Sequence, residues 1–184
     1  MTNAKPHADI QAIRDTIDAV RQQPELGKVT FNMKSRSSGG LAVTTRTGPL
    51  TQNGQADDSR SGRFSLVSDE PVALLGTDTG VSPAEYALKA LAGCYAVTLA
   101  SMAASQGIEL DGLELDLNFD IDLNGFLGLD DTVRKGAQAI RVDVKLDSAS
   151  ASREQLEALV NDLPSHSPLH DTLANPVNVS AQLV

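Results

Sequence analysis

From Ser82 to Gly107 the chain carries eight alanines and only two charged residues, Glu85 and Lys89. The signals at its start are those of a helix. Ser82 suits the N-cap, Pro83 the first helical position, and Glu85 completes an S-x-x-E capping box. The pattern predicts one long helix whose small side chains let another helix approach closely. A helix apolar nearly all round must be buried on most faces, and one small domain cannot cover it on every side. The chain is therefore expected to be an obligate homodimer.

After this helix the apolar period changes from 3.6 to 2. Leu113, Leu115, Leu117, Phe119, Ile121 and Leu123 alternate with polar residues, as do Ile140, Val142, Val144 and Leu146, and again Val177, Val179 and Leu183. These read as half-buried strands with one wet face, the pattern of antiparallel sheets. Arg141 and Lys145 are placed to offset the acidic strand by cross-strand pairing. Ser152 to Leu163 reads as a helix, and Ser167-Pro168 opens another short one. Upstream, Ile10, Ile13, Ile17 and Val20 recur at helical spacing between Ala8 and Gln23. Val29–Met33 and Leu41–Thr45 form a hairpin around Ser37-Ser38-Gly39-Gly40. Gly48 to Gly62 is polar and reads as a loop, and Arg63–Val67 as a third strand. Together these predict an α+β fold, with residues 1–27 an N-terminal amphipathic helix and 28–184 a single domain.

Composition bounds what such a domain does. At 184 residues, 41% hydrophobic and 21% charged, the chain is an ordinary globular one. With no Trp, four Phe and two Tyr, its core must be built from Leu, Val, Ile and Ala. A net charge of −9 argues against a nucleic-acid partner. No apolar run approaches the roughly 20 residues that span a bilayer, so no membrane partner is expected. The N-terminus lacks the apolar core of a signal peptide. With one unpaired cysteine, that points to a reducing cytoplasm.

Three motifs bear on chemistry. Asp120-Ile121-Asp122-Leu123-Asn124-Gly125 matches the start of a calcium loop, with Asp131 at its twelfth position. A strand, rather than a helix, runs into it, and Asp lacks the reach of Glu, so no calcium site is expected. His166 and His170 are four apart, but two ligands do not make a zinc site. No cofactor or metal is implied. The sole cysteine, Cys94, sits in the middle of the alanine-rich helix. It is either a small apolar core residue or a reactive thiol. It lies beyond the first turn, where a helix dipole acts, so activation needs an Arg or Lys from elsewhere in the fold.

The stretch Gly76–Cys94, with Ala/Gly-Cys eleven residues after Pro83, resembles the peroxidatic segment of the OsmC/Ohr family. Ser165–Val179 resembles the family's second segment, which normally reads Cys-Pro before a short helix and a final strand. Asp122–Asp130 resembles the linking piece of an OsmC-like subgroup, and the likeness runs over residues 28 to 184. It implies an OsmC-like fold of curved antiparallel sheets around a long central helix in an intertwined homodimer. It also implies peroxiredoxin-like reduction of organic hydroperoxides in oxidative stress. In that chemistry a thiolate becomes a sulfenic acid, a second cysteine resolves it, and an Arg and a Glu hold the site. Cys94 is then the nucleophile, and Arg36 matches the arginine best, with Arg60 and Arg63 as rivals. The chain departs from the pattern twice. Ser167 stands at the resolving position and Ala84 at the glutamate. Glu85, about 100° further round the helix, has a capping role instead. The implied function is a single-Cys peroxidase using an external small-molecule thiol. The alternative is a non-catalytic homodimer that binds a small apolar ligand.

Overall fold

The computed structural model describes residues 4–183. It is an α+β fold of antiparallel sheets and one long helix. The chain forms two compact units: Gln11–Ala87, and the N-terminal segment through Ile10 together with the chain from Leu88 onward.

In the first unit α1 (Ile10–Gln22) is amphipathic as expected, yet none of its residues is buried. The hairpin pairs β1 (Val29–Gly39) with β2 (Ala42–Gln52), turning on Gly39 and Gly40, both at positive φ. Positive φ is strained for residues with a Cβ, and glycine adopts it freely. The strands run well past their expected ends, so the predicted loop from Gly48 to Gly62 is a loop only in part. β2 continues to Gln52, turns on Asn53-Gly54 and returns as β3 (Gln55–Asp57). Asn53 and Gly54 both have positive φ, the conformation a tight two-residue hairpin turn requires. β4 (Ser65–Ser68) pairs with the first half of β2.

The loop from β4 to the long helix is organised by one carboxylate. Asp69 is 2% exposed. It accepts hydrogen bonds from the Glu70, Thr77 and Thr79 amides and from both threonine hydroxyls, at 2.6–3.2 Å. Gly76 is obligatory here, because a Cβ would sit 1.7 Å from the Glu70 carbonyl oxygen. Ser68 then bridges Val81, and Ser82 and Glu85 close the predicted capping box.

The helix, α2 (Pro83–Ser105), buries Leu91, Tyr95, Thr98, Leu99 and Ala103. This stripe packs in the second unit with Ile108, Leu110, Leu159 and Leu163. The inward residues of β5 (Gly112–Asp120) and β6 (Ala139–Asp147) complete the core. Outward, Arg141 pairs with Asp120, and Lys145 with Glu114, as the alternation suggested. The expectation that most faces of α2 are buried is not met within this chain. One stripe is covered, while Val97 on the far side is 68% exposed. By length and composition α2 is also apolar enough to cross a membrane, contrary to the sequence reading. Alanines supply much of that apolarity, and Leu91, Tyr95 and Leu99 lie on the stripe that builds the core.

The last elements are α3 (Leu123–Phe126), α4 (Arg153–Asn161), α5 (Leu163–His166) and α6 (Pro168–Ala174). α3 replaces the expected strand end at Leu123. The final predicted strand, Val177 to Leu183, does not form. The segment joins no ladder, and Val177, Val179 and Leu183 are exposed. Alternation encodes a face, but a strand also needs an edge to pair with.

The hydrogen bonds from Thr77 and Thr79 hold the Asp69 carboxyl well below the usual carboxylate range. A depressed folded value stabilises above the unfolded value, near 3.8, and that contribution is lost as pH falls below it. Asp69→Asn should therefore destabilise the protein at pH 7 and flatten its acid-unfolding profile between about pH 5 and 2. Thermal melts across that range check this. An unchanged slope would mean that the carboxylate does not anchor the loop.

Candidate functional site

Cys94 is placed by the core stripe of α2. Leu91 and Tyr95 on either side are buried, which holds the thiol half-buried at the stripe's margin. The beginning of α6 comes to meet it. Leu159 and Leu163 are fully packed, so α4 and α5 deliver Ser167 onto α2. Ser167 is the N-cap of α6, with Pro168 at the first position. Its hydroxyl accepts from the His170 amide at 3.2 Å and donates to Cys94 Sγ at 3.2 Å. At 2% exposure, water does not compete for this hydroxyl.

A second polar pair lies alongside. Tyr95 Oη and His170 Nδ1 are 2.7 Å apart, with ring planes within 14° of each other. Burial pushes the Tyr95 phenol up, and the neighbouring Cys94 adds to the rise. The phenol therefore keeps its proton, and one hydrogen bond joins it to Nδ1. Cys94, Ser167, His170 and Tyr95 thus form one connected cluster. Sequence reasoning missed the Tyr95–His170 pair and weighed His170 only as a ligand partner of His166. A tyrosine beside Cys94 and a histidine three residues after Ser167 were the available signals, but their meeting is purely tertiary. His166 Nδ1 instead faces the Asp162 carbonyl and the Ser165 hydroxyl.

Not every residue named from sequence joins the cluster. Within its unit the Cys94 sulfur has Ser167 as its hydrogen-bond partner, and no arginine. Arg36 lies on β1 in the other unit, exposed and without an ion pair among the described residues. The Arg60 and Arg63 guanidinium groups each lie 5.4 Å from the Phe64 ring centroid. Ala84 offers no functional group, and Glu85 takes hydrogen bonds from the Ser82 amide and hydroxyl, which lower its carboxyl's pKa. A cavity of about 390 Å³ opens beside the Cys94 neighbours Leu91, Tyr95 and His170, bounded by Val142, Leu163 and Arg134.

The calcium-like segment has other uses. Asp120 binds Arg141, and Asp122 caps α3 through the Asn124 amide and side chain. Asp130 takes the Thr132 amide and hydroxyl. Among the described residues no three His, Cys, Asp or Glu side chains are arranged to hold a metal.

A family model described as OsmC-like protein matches residues 76–182, more than half of the chain. The chain belongs to the OsmC-like protein family. Its structure resembles that of an OsmC-like protein from Mycoplasma pneumoniae, at TM-score 0.61 and 18% identity over 79% of this chain and 87% of that one. It resembles an organic hydroperoxide resistance protein OsmC from Legionella pneumophila at TM-score 0.55 and 19% identity, over 78% and 88% of the two chains. An OsmC-like protein of unknown function from Vibrio cholerae matches at TM-score 0.51 and 14% identity, over 79% and 91%. At these identities the likeness is one of fold. None of the curated proteins compared with the chain matches it.

The contact between Ser167 and Cys94 is short enough to test by chemistry. Ser167→Cys should form an intramolecular disulfide with Cys94 under mild oxidation, as loss of both free thiols in a thiol titration. Two persistent thiols would mean that the backbone spacing does not suit a bridge.

Proposed function

We propose that this OsmC-like protein is a thiol-dependent hydroperoxide reductase working with a single cysteine. The observation that carries the proposal is the hydrogen bond from the buried Ser167 hydroxyl to Cys94 Sγ. A hydroxyl there cannot resolve a sulfenic acid, but its proton can stabilise a thiolate. The Cys94 thiolate attacks the terminal oxygen of a hydroperoxide. The O–O bond breaks, the alkoxide takes up a proton, and an alcohol and a sulfenic acid result. An external thiol condenses with the sulfenic acid, releasing water and leaving a mixed disulfide. A second thiol displaces Cys94 and leaves as the other half of a disulfide.

Arg36 is the residue we assign to the thiolate and peroxide. Its rivals Arg60 and Arg63 are engaged by Phe64, whereas Arg36 has no ion pair among the described residues. Residues 28–184 carry this chemistry, α1 is an appendage, and the protein is cytoplasmic. The name of the Legionella structure supports the substrate class. A second reading rests on the 390 Å³ cavity, which falls in the usual range for small-ligand sites. On that reading the protein is a non-catalytic binder of a small apolar molecule.

Hydroperoxide consumption with a small thiol reductant separates the two. The parent should turn over slowly, and Cys94→Ser should abolish turnover. Excess peroxide should drive Cys94 to sulfinic acid, visible by mass. The pair Ala84→Glu with Ser167→Cys should exceed the parent. Parent turnover as fast as the pair would mean that the site has a complete mechanism of its own. No turnover, together with unchanged binding of a hydrophobic dye by Cys94→Ser, would favour the second reading.

The proposal includes a homodimer. Leu75, at 88% exposure, and Val97, at 68%, leave apolar surface that one chain does not cover. Sedimentation at micromolar concentration should give about twice 19.4 kDa. A stable monomer there would count against it.

A further inference from the structure

The sheet of the first unit carries a charge arrangement of which the cysteine chemistry uses only Arg36. Lys34 and Arg46 are directly opposite one another in the β1–β2 register, and Arg36 lies on the same face two residues along. Like charges directly opposite across strands destabilise a sheet. Several cations elsewhere are paired: Lys5 with Asp111, Lys28 with Glu25, Arg141 with Asp120, and Arg153 with Glu157. Lys34, Arg36 and Arg46 have no carboxylate partner among the described residues, in a chain with 24 acids to 15 Lys and Arg. They line one groove of about 760 Å³. Its one acid, Asp58, takes a hydrogen bond from Ser61 Oγ at 3.0 Å. The groove wall is firm, because the Thr47 hydroxyl donates to the Arg60 carbonyl and the Gly62 amide to the Thr47 carbonyl, both at 2.6 Å.

We propose that this groove binds a multiply charged tetrahedral oxyanion, either free phosphate or the phosphoryl group of a small metabolite. Such a ligand turns the repulsion between Lys34 and Arg46 into a binding contribution. The two arginines offer planar forks that match phosphate oxygens. The groove shares Arg36 with the reductase reading. Arg36 is therefore left unchanged in the test, which rests on Lys34 and Arg46 alone.

Inorganic phosphate and glucose 6-phosphate would each be titrated into the full chain by calorimetry, at fixed ionic strength with chloride as the control anion. Saturable binding is expected at millimolar concentration or below, weakening with added salt. Tighter binding of glucose 6-phosphate would identify an organic phosphate as the source, and equal or weaker binding the free anion. Lys34→Gln and Arg46→Gln should each weaken binding about tenfold or more. Lys145→Gln, which removes a paired cation elsewhere, should not. Phosphate should raise the melting temperature of the parent but of neither groove variant. Without phosphate, Lys34→Gln should melt no lower than the parent, since it removes a repulsion. Absence of saturable binding by both anions, or binding unaffected by both groove substitutions, would overturn the proposal.

Discussion

One stripe of α2 organises the second unit. Leu91, Tyr95, Leu99 and Ala103 fall on a single side of the helix and are buried. The inward leucines and valines of β5 and β6 close over that side together with Leu159 and Leu163. Fully burying a Leu side chain contributes about 1.5–3 kcal/mol, so this layer is where much of the unit's stability lies. It also decides the chemistry. Cys94 sits between two buried members of the stripe, so its sulfur is held at the margin of the core. The leucines that anchor α4 and α5 bring Ser167 to meet it.

The cluster around the sulfur is an ordered polar patch at an apolar boundary. Ser167 caps a helix with one side of its hydroxyl and reaches the thiol with the other. The two roles reinforce each other, because the cap fixes the rotamer that points the proton at sulfur. Tyr95 and His170 flank the pair, each holding the other's orientation. A serine at this position gives the sulfur a hydrogen-bond donor rather than a covalent partner.

Local signals were the legible ones. The capping box of Ser82 and Glu85 and the alternation in β5 and β6 each specify backbone through neighbours in sequence, and the structure follows them. Polarity makes Gly48 to Gly62 read as loop, but its first part is strand, held by backbone pairing and an Asn-Gly turn. The segment from Val177 to Leu183 alternates correctly and still forms no strand, since pairing depends on an edge that alternation does not specify. The meeting of Cys94 with Ser167 was legible only through the family likeness. The Tyr95–His170 contact, between residues 75 apart, left no local trace.

The small side chains on the uncovered part of α2 have a consequence in entropy. Ala90 is exposed there, and Ala92, Ala96 and Ala100 are half-buried. Alanine has no rotamers to lose, so covering this surface orders almost nothing beyond the helix itself. Each methyl contributes little on its own, and dispersion contacts fade within an ångström of separation. Any partner of this face would thus be selected by how closely its backbone can approach, and bulky side chains in its path would be rejected by shape alone.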